Sequence, residues 1–100
     1  MDLAFDGLTP QMFIDQLSPK EKMVVMSKLV LIEHAKTPAE LGGIGGVRSL
    51  YHSTNDERLY SIRAGDDLRI IFTYRENTVI ILDVVRRSQI EGLAHSRRKR

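Results

Sequence analysis

The feature that most restricts the fold lies in the second half of the chain. Three apolar runs, residues 58–63, 68–74 and 78–85, are separated by Ala64-Gly65-Asp66-Asp67 and by Glu76-Asn77. The runs are rich in β-branched and aromatic residues, and the breaks are made of turn formers. Links this short join antiparallel neighbours, so the pattern predicts a β-meander. The third run (Thr78, Val79, Ile80, Ile81, Leu82, Val84, Val85) is apolar at consecutive positions, so both of its faces need cover. That predicts an interior place in the sheet. Arg63 closes the first strand, Arg69 opens the second, and Arg86-Arg87 follow the third. A small sheet that gathers cations suits a phosphate chain, because the guanidinium fork meets phosphate oxygens at two points and stays charged at any relevant pH.

The first half reads as helical. Leu3-Ala4-Phe5 has the character of a very short strand or extended arm, ended by Asp6-Gly7. Thr9-Pro10 opens a short helical segment whose apolar face is Met12, Phe13, Ile14 and Leu17. Ser18-Pro19-Lys20-Glu21 is a helix start: Ser18 suits the N-cap, Pro19 the first helical position, and Glu21 completes a capping box. A long helix is predicted over about residues 19–36, with Met23, Met26, Leu29, Val30 and Ile32 at helical spacing and Val24, Val25 and Leu31 widening the stripe. The two methionines read as core filler. His34, near the helix end, reads as a surface residue favoured by the C-terminal dipole. Thr37-Pro38 is expected to stop the helix. The glycine-dense run Leu41-Gly42-Gly43-Ile44-Gly45-Gly46-Val47 lacks the Lys-Ser/Thr of a phosphate loop and follows no apolar strand, so it reads as a flexible connector. A short helix from Gln89 to Ala94 is allowed before a basic tail over residues 95–100, which is expected to be flexible.

One hundred residues predict one domain over 1–100 with a single modest core. There is no cysteine, which removes disulfides and thiolate metal sites. His34, His52 and His95 have no ligand spacing, so no metal is expected. No run of about 18 apolar residues is present, so no membrane partner is expected, and a cytoplasmic location is inferred. The first fifty residues carry five basic and six acidic groups, whereas the last fifty carry ten and seven. The last fifteen hold six basic groups against Glu91. This asymmetry points to an acidic partner for the C-terminal half or to a solvated basic tail.

The order helix, helix, loop, antiparallel meander resembles the RelE/ParE toxin superfamily. Ser61-Ile62-Arg63, four further residues, then Leu68-Arg69-Ile70-x-Phe72 looks like its paired-arginine hairpin. Val79 to Val85 followed by Arg86-Arg87 looks like its last strand and basic end. The likeness covers about residues 3–92 by architecture and 58–87 by motif. It implies an α+β fold in which two N-terminal helices pack on a small twisted antiparallel β-meander, with a short N-terminal edge strand and a short C-terminal helix as further elements. It also implies the toxin of a type II toxin–antitoxin system, acting as a ribosome-dependent mRNA endoribonuclease that needs no metal or other cofactor. Arg63, Arg69 and Arg87 would then be catalytic, with Arg58, Tyr60, Arg86, Arg97 and Arg98 contacting RNA. The implied partners are a cognate antitoxin, the ribosome and mRNA. The superfamily also contains non-nuclease members, DNA gyrase inhibitors and helicase-associated binding modules, and the run Asp56-x-Arg58-Leu59-x-Ser61-x-Arg63 looks like the last of these.

The chain departs from the ribonuclease members at two places. Leu59, Tyr60 and Ser61 stand where lysines are common, and Arg86-Arg87 lead into Ser88-Gln89-Ile90 with no histidine or tyrosine. Cleavage at a 2′-hydroxyl needs a proton acceptor, cations for the phosphorane and an acid for the leaving oxygen. His52, Glu57, Tyr60, Asp83 and His95 are the available proton carriers, none in a compelling motif position. The competing structural reading has Arg63 and Arg69 pairing with Asp66, Asp67 or Asp83 across the sheet.

Overall fold

The computed structural model describes residues 1–52 and 58–88. In chain order the elements are β1 (Asp2–Phe5), α1 (Thr9–Asp15), α2 (Pro19–His34), α3 (Pro38–Gly43), β2 (Val47–His52), β3 (Arg58–Ala64), β4 (Leu68–Arg75) and β5 (Thr78–Arg86). The strands form one five-stranded sheet in the order β1-β5-β4-β3-β2. β1 runs parallel to β5, and every other pair is antiparallel. This is the α+β architecture the sequence implies. β3, β4 and β5 are its meander, and β5 lies between two neighbours as its two-sided apolar pattern requires. The β4–β5 link is a two-residue turn with φ of 48° at Glu76 and 65° at Asn77, the left-handed pair that matches strand twist.

Alternation along the strands sorts their residues onto two faces. One face carries Ile62, Ala64, Leu68, Ile70, Phe72, Val79, Ile81 and Val84, all buried against Ile14 and Leu17, against Val25, Leu29 and Ile32 of α2, and against Leu41 of α3. All three helices therefore cover this face, called here the helix face. The opposite face carries Arg48 and Leu50 of β2, Ser61 and Arg63 of β3, Arg69 and Ile71 of β4, and Asp83 and Val85 of β5. An irregularity between Ile71 and Phe72 inserts Leu82 into β5 and preserves the alternation beyond it.

The capping box at Ser18 is present: its hydroxyl accepts from Glu21 N at 3.2 Å, and the Glu21 carboxylate accepts from Ser18 N at 3.4 Å. Three expectations need correction. Thr37-Pro38 does not merely stop a helix. α2 has already ended at His34, and Thr37 caps α3 in a second box with Glu40. The glycine-dense run is not a free connector, because Gly42 and Gly43 belong to α3 and Val47 begins β2. Met23 and Met26 are not core filler: they are 73% and 48% exposed, because the buried stripe of α2 runs through Val25, Leu29 and Ile32 instead. Met12 of the first helix is also exposed, while Ile14 and Leu17 are buried. The Gln89–Ala94 segment and the tail lie outside the described residues.

Candidate functional site

The pairing of β2, β3 and β4 assembles a cationic cluster on the face opposite the helices. Arg63 lies directly across from Arg69, and Arg48 directly across from Ser61. Arg87 joins from the end of β5, where its backbone N–H donates to the Asp67 carbonyl at 2.5 Å. Together Arg48, Arg63, Arg69 and Arg87 line a shallow depression of about 490 Å³ with Ser61, Leu50 and Asp66. Ser61 is 5% exposed and forms the floor. Gly46 backs Arg63. Its φ of +89° turns the chain into β2, its carbonyl accepts from Arg63 N at 3.2 Å, and an added Cβ would meet Arg63 Cβ at 3.4 Å.

Like charges directly opposite each other weaken a sheet. Burial lowers the Arg69 guanidinium pKa, and the charges of Arg63, Arg87 and Arg48 lower it further. Its Nη1 donates to the Leu68 carbonyl at 2.8 Å. Among the described residues no carboxylate forms an ion pair with Arg63 or Arg69. Asp67 is bonded to Arg86 at 2.9 Å, and Asp83 Oδ1 accepts from Val84 N at 2.8 Å. The cross-sheet salt bridges of the structural reading are therefore not the arrangement found. The repulsion is held in place by the fold, and an anion seated among the guanidinium groups would relieve it.

The remaining sequence-predicted residues separate. Arg86 projects to the helix side, bonded to Glu21 of α2 at 3.3 Å and to Asp67 at 2.9 Å. It fastens the start of α2 and the β3–β4 turn to the end of β5, and so stands apart from the cluster. These bonds raise the Arg86 pKa, and the hydrogen bond from Arg86 is the first cause that lowers that of Glu21. Tyr60 also faces the helix side, stacked on Phe72 at 5.6 Å and on Tyr74 at 5.8 Å between ring centroids. The Tyr74 hydroxyl is pushed up, first by its hydrogen bond to Tyr60 and then by burial. Arg58 is exposed at the start of β3 on the tyrosine side, away from the depression. Arg97, Arg98, Glu57 and His95 lie outside the described residues. Arg48, Ser61 and Asp66 are members the sequence reading did not assign. Arg48 was missed because β2 was missed: Val47-Arg48-Ser49-Leu50 reads apolar, polar, polar, apolar and gives no clean period-2 signal. Among the described residues no three His, Cys, Asp or Glu side chains converge as a metal set would, and no helix is long and apolar enough to cross a membrane.

No protein-family model matches the sequence, and none of the curated proteins does. Solved structures do match. The archaeal RelE–RelB complex from Pyrococcus horikoshii OT3 contains a chain that superposes with a TM-score of 0.63 at 20% identity, covering 86% of this chain and 93% of that one. The YoeB dimer from Staphylococcus aureus matches with a TM-score of 0.62 at 20% identity, covering 85% and 94%. The YoeB–YefM complex from Staphylococcus aureus gives 0.58 at 22% identity, again covering 85% and 94%. This chain thus has the RelE-like fold over most of its length, as the paired-arginine hairpin implied.

Proposed function

We propose that this chain is the toxin of a type II toxin–antitoxin pair and that it inhibits translation by cutting mRNA on the ribosome. One observation carries this reading: Arg48, Arg63, Arg69 and Arg87 converge, without an ion pair at Arg63 or Arg69 among the described residues, around one depression of the sheet. Such a cluster matches the charge of a phosphodiester and the greater charge of its phosphorane. In the reaction the 2′-oxygen attacks phosphorus, the bond to the 5′-oxygen breaks, and a cyclic phosphate remains. Asp66, the carboxylate that lines the depression among the described residues, would accept the 2′-proton in this reading, and the leaving 5′-oxygen takes a proton from water. Arginine remains protonated throughout, so its role is charge stabilisation and alignment. The RelE–RelB and YoeB–YefM complexes among the structural neighbours support a cognate antitoxin as partner, and a ribosomal target would imply a cytoplasmic location.

A second reading is favoured by one specific observation. Among the described residues, the groups lining the depression apart from Asp66 and the Ser61 hydroxyl are arginines and a leucine, with no histidine or tyrosine. A gyrase inhibitor or helicase-associated binding module needs the cations and not the proton carriers. The two readings part on a cleavage assay with purified ribosomes and a translated message. Cuts inside codons that disappear in Arg69→Met support the nuclease, whereas growth arrest with intact message favours the binding module.

A further inference from the structure

The arginine depression does not end at Arg63. A second hollow of about 320 Å³ shares Arg63 and Asp66 with it and continues toward α2, where Lys28, Gly45, Gly46 and Gly65 line it. A third, of about 200 Å³, shares Gly65 and Asp66 with the second and runs along α2 past Val24 to Lys20. Lys20, Val24 and Lys28 are four residues apart, so they stand in one row on the side of α2 that meets the β3–β4 turn. Through these shared residues the three hollows make one groove. It starts on the open face of the sheet, crosses the end of β3 and finishes on the helical layer. Its crest is bare, because Gly45, Gly46 and Gly65 form it. Gly46 and Gly65 hold left-handed φ of +89° and +78°, and a Cβ added at Gly45 would meet nothing within 4 Å.

We propose that this groove carries the RNA strand onward from the reacting phosphate, with Lys28 and Arg63 holding the phosphate of a flanking nucleotide and Lys20 extending the path along α2. This deepens the cleavage reading and rests on the arginine cluster as the seat of the reacting phosphate. Both ends of the groove are cationic, and among the described residues neither Lys20 nor Lys28 forms an ion pair. Glu21, which lines the third hollow, is already bonded to Arg86 at 3.3 Å. Asp66 is the other carboxylate along the groove among the described residues, set between the arginines and the two lysines. The bare crest lets a chain lie against the backbone without a side chain in its way. Lysine suits the flanking place as a point charge, whereas the arginine fork suits the reacting phosphate. Among the described residues no aromatic ring lines the groove, so no base is stacked there. The groove therefore reads backbone charge and not sequence, and Lys28 and Lys20 are positioning residues.

Fluorescence anisotropy of the full chain with a labelled 2′-O-methyl oligouridylate, followed against salt, tests this. The probe has no free 2′-hydroxyl and cannot be cut, so binding is read apart from cleavage. Lys28→Met should weaken binding about fivefold and make the slope of log K against log salt shallower by about 0.7, the share of one phosphate on a single strand. Lys36→Met removes the same charge from a residue outside the groove and should change neither. Gly45→Asp sets a carboxylate on the crest and should weaken binding, whereas the isosteric Gly45→Asn should bind as wild type does. Circular dichroism confirms that each variant is folded. An oligonucleotide of mixed sequence should show the same losses. If Lys36→Met weakens binding as much as Lys28→Met, the effect is net charge and the subsite is overturned. If Arg69→Met loses the probe while Lys28→Met and Gly45→Asp keep it, the path is overturned and the arginine site stands. A wild type that does not bind the probe at low salt overturns the groove, while the cleavage reading is judged separately on ribosomes.

Discussion

Replacing Arg69 with methionine separates a binding role from a structural one. Methionine keeps most of the aliphatic stem and removes the charge. In the fold Arg69 faces Arg63 directly, and its guanidinium is disfavoured by burial and by three neighbouring cations. Removing a like-charged cross-strand pair returns about 0.2–1 kcal/mol. The change also loses the bond from Arg69 Nη1 to the Leu68 carbonyl, and a typical hydrogen bond contributes about 0.5–1.5 kcal/mol. Arg69 is only partly buried, so water can replace that donor and the loss falls at the low end of the range. The two effects nearly cancel. For a domain of this size about 1 kcal/mol moves Tm by about 4–8 °C, so the variant should melt within about 3 °C of wild type. Losing one charge-stabilising donor should meanwhile lower cleavage by about 10²–10³-fold. Differential scanning calorimetry in chloride and in phosphate buffer adds a second readout. Phosphate should raise the wild-type Tm by screening and occupying the cluster, and should raise that of Arg69→Met much less. A drop in Tm larger than about 4 °C, or an undiminished response to phosphate, would refute the reasoning and return Arg69 to a structural role.

Other consequences follow from the same geometry. Arg48→Met should reduce activity, as Arg63→Met should, while leaving Tm nearly unchanged, since Arg48 is exposed on β2 and enters the depression from there; full activity would remove it from the site. Gly46→Ala should cost about 1–2 kcal/mol from the left-handed φ of +89°, visible in urea melts, and should disturb Arg63 through the 3.4 Å Cβ contact. Ser18→Ala should cost about 1 kcal/mol by removing the cap of α2, again read by urea melts. The Glu21 pKa is lowered in the fold, so its bond to Arg86 contributes stability above its ordinary value of 4.5 and loses it as pH falls through the lower folded value. The Tm gap between wild type and Glu21→Gln should therefore be open near neutral pH and close below 4.5.

Where local chemistry decides the structure, the sequence was enough. The Ser18-Pro19-x-Glu21 box set the start of α2, the Gly/Asp and Glu-Asn breaks set both hairpins, and the two-sided apolar run placed β5 inside the sheet. The paired arginines were legible for the same reason: antiparallel register across a short turn forces Arg63 opposite Arg69. The misreadings have physical causes. Thr37-Pro38 carries both a stop for one helix and a start for the next, and only the Glu40 partner tells them apart. β2 was hidden behind glycines that close α3, so Arg48 went unassigned. α2 is apolar around most of its circumference, so the sequence could not say which stripe faces the sheet; contact with β3 and β1 selected Val25, Leu29 and Ile32 and left the methionines outside. Tyr60 and Arg86 sit one residue out of phase with the cluster arginines, and in a strand that single step moves a side chain to the other face.

The central claim is that the arginine cluster is a site of mRNA cleavage. Its most direct test is to map the ends of one translated message on purified ribosomes, with wild-type protein, Arg69→Met and Arg48→Met side by side. The account requires new ends within codons for wild type, cut back by about two to three orders of magnitude in Arg69→Met. Intact message with a folded, ribosome-bound wild-type protein would contradict it, as would cuts that persist at full rate when Arg69 is gone.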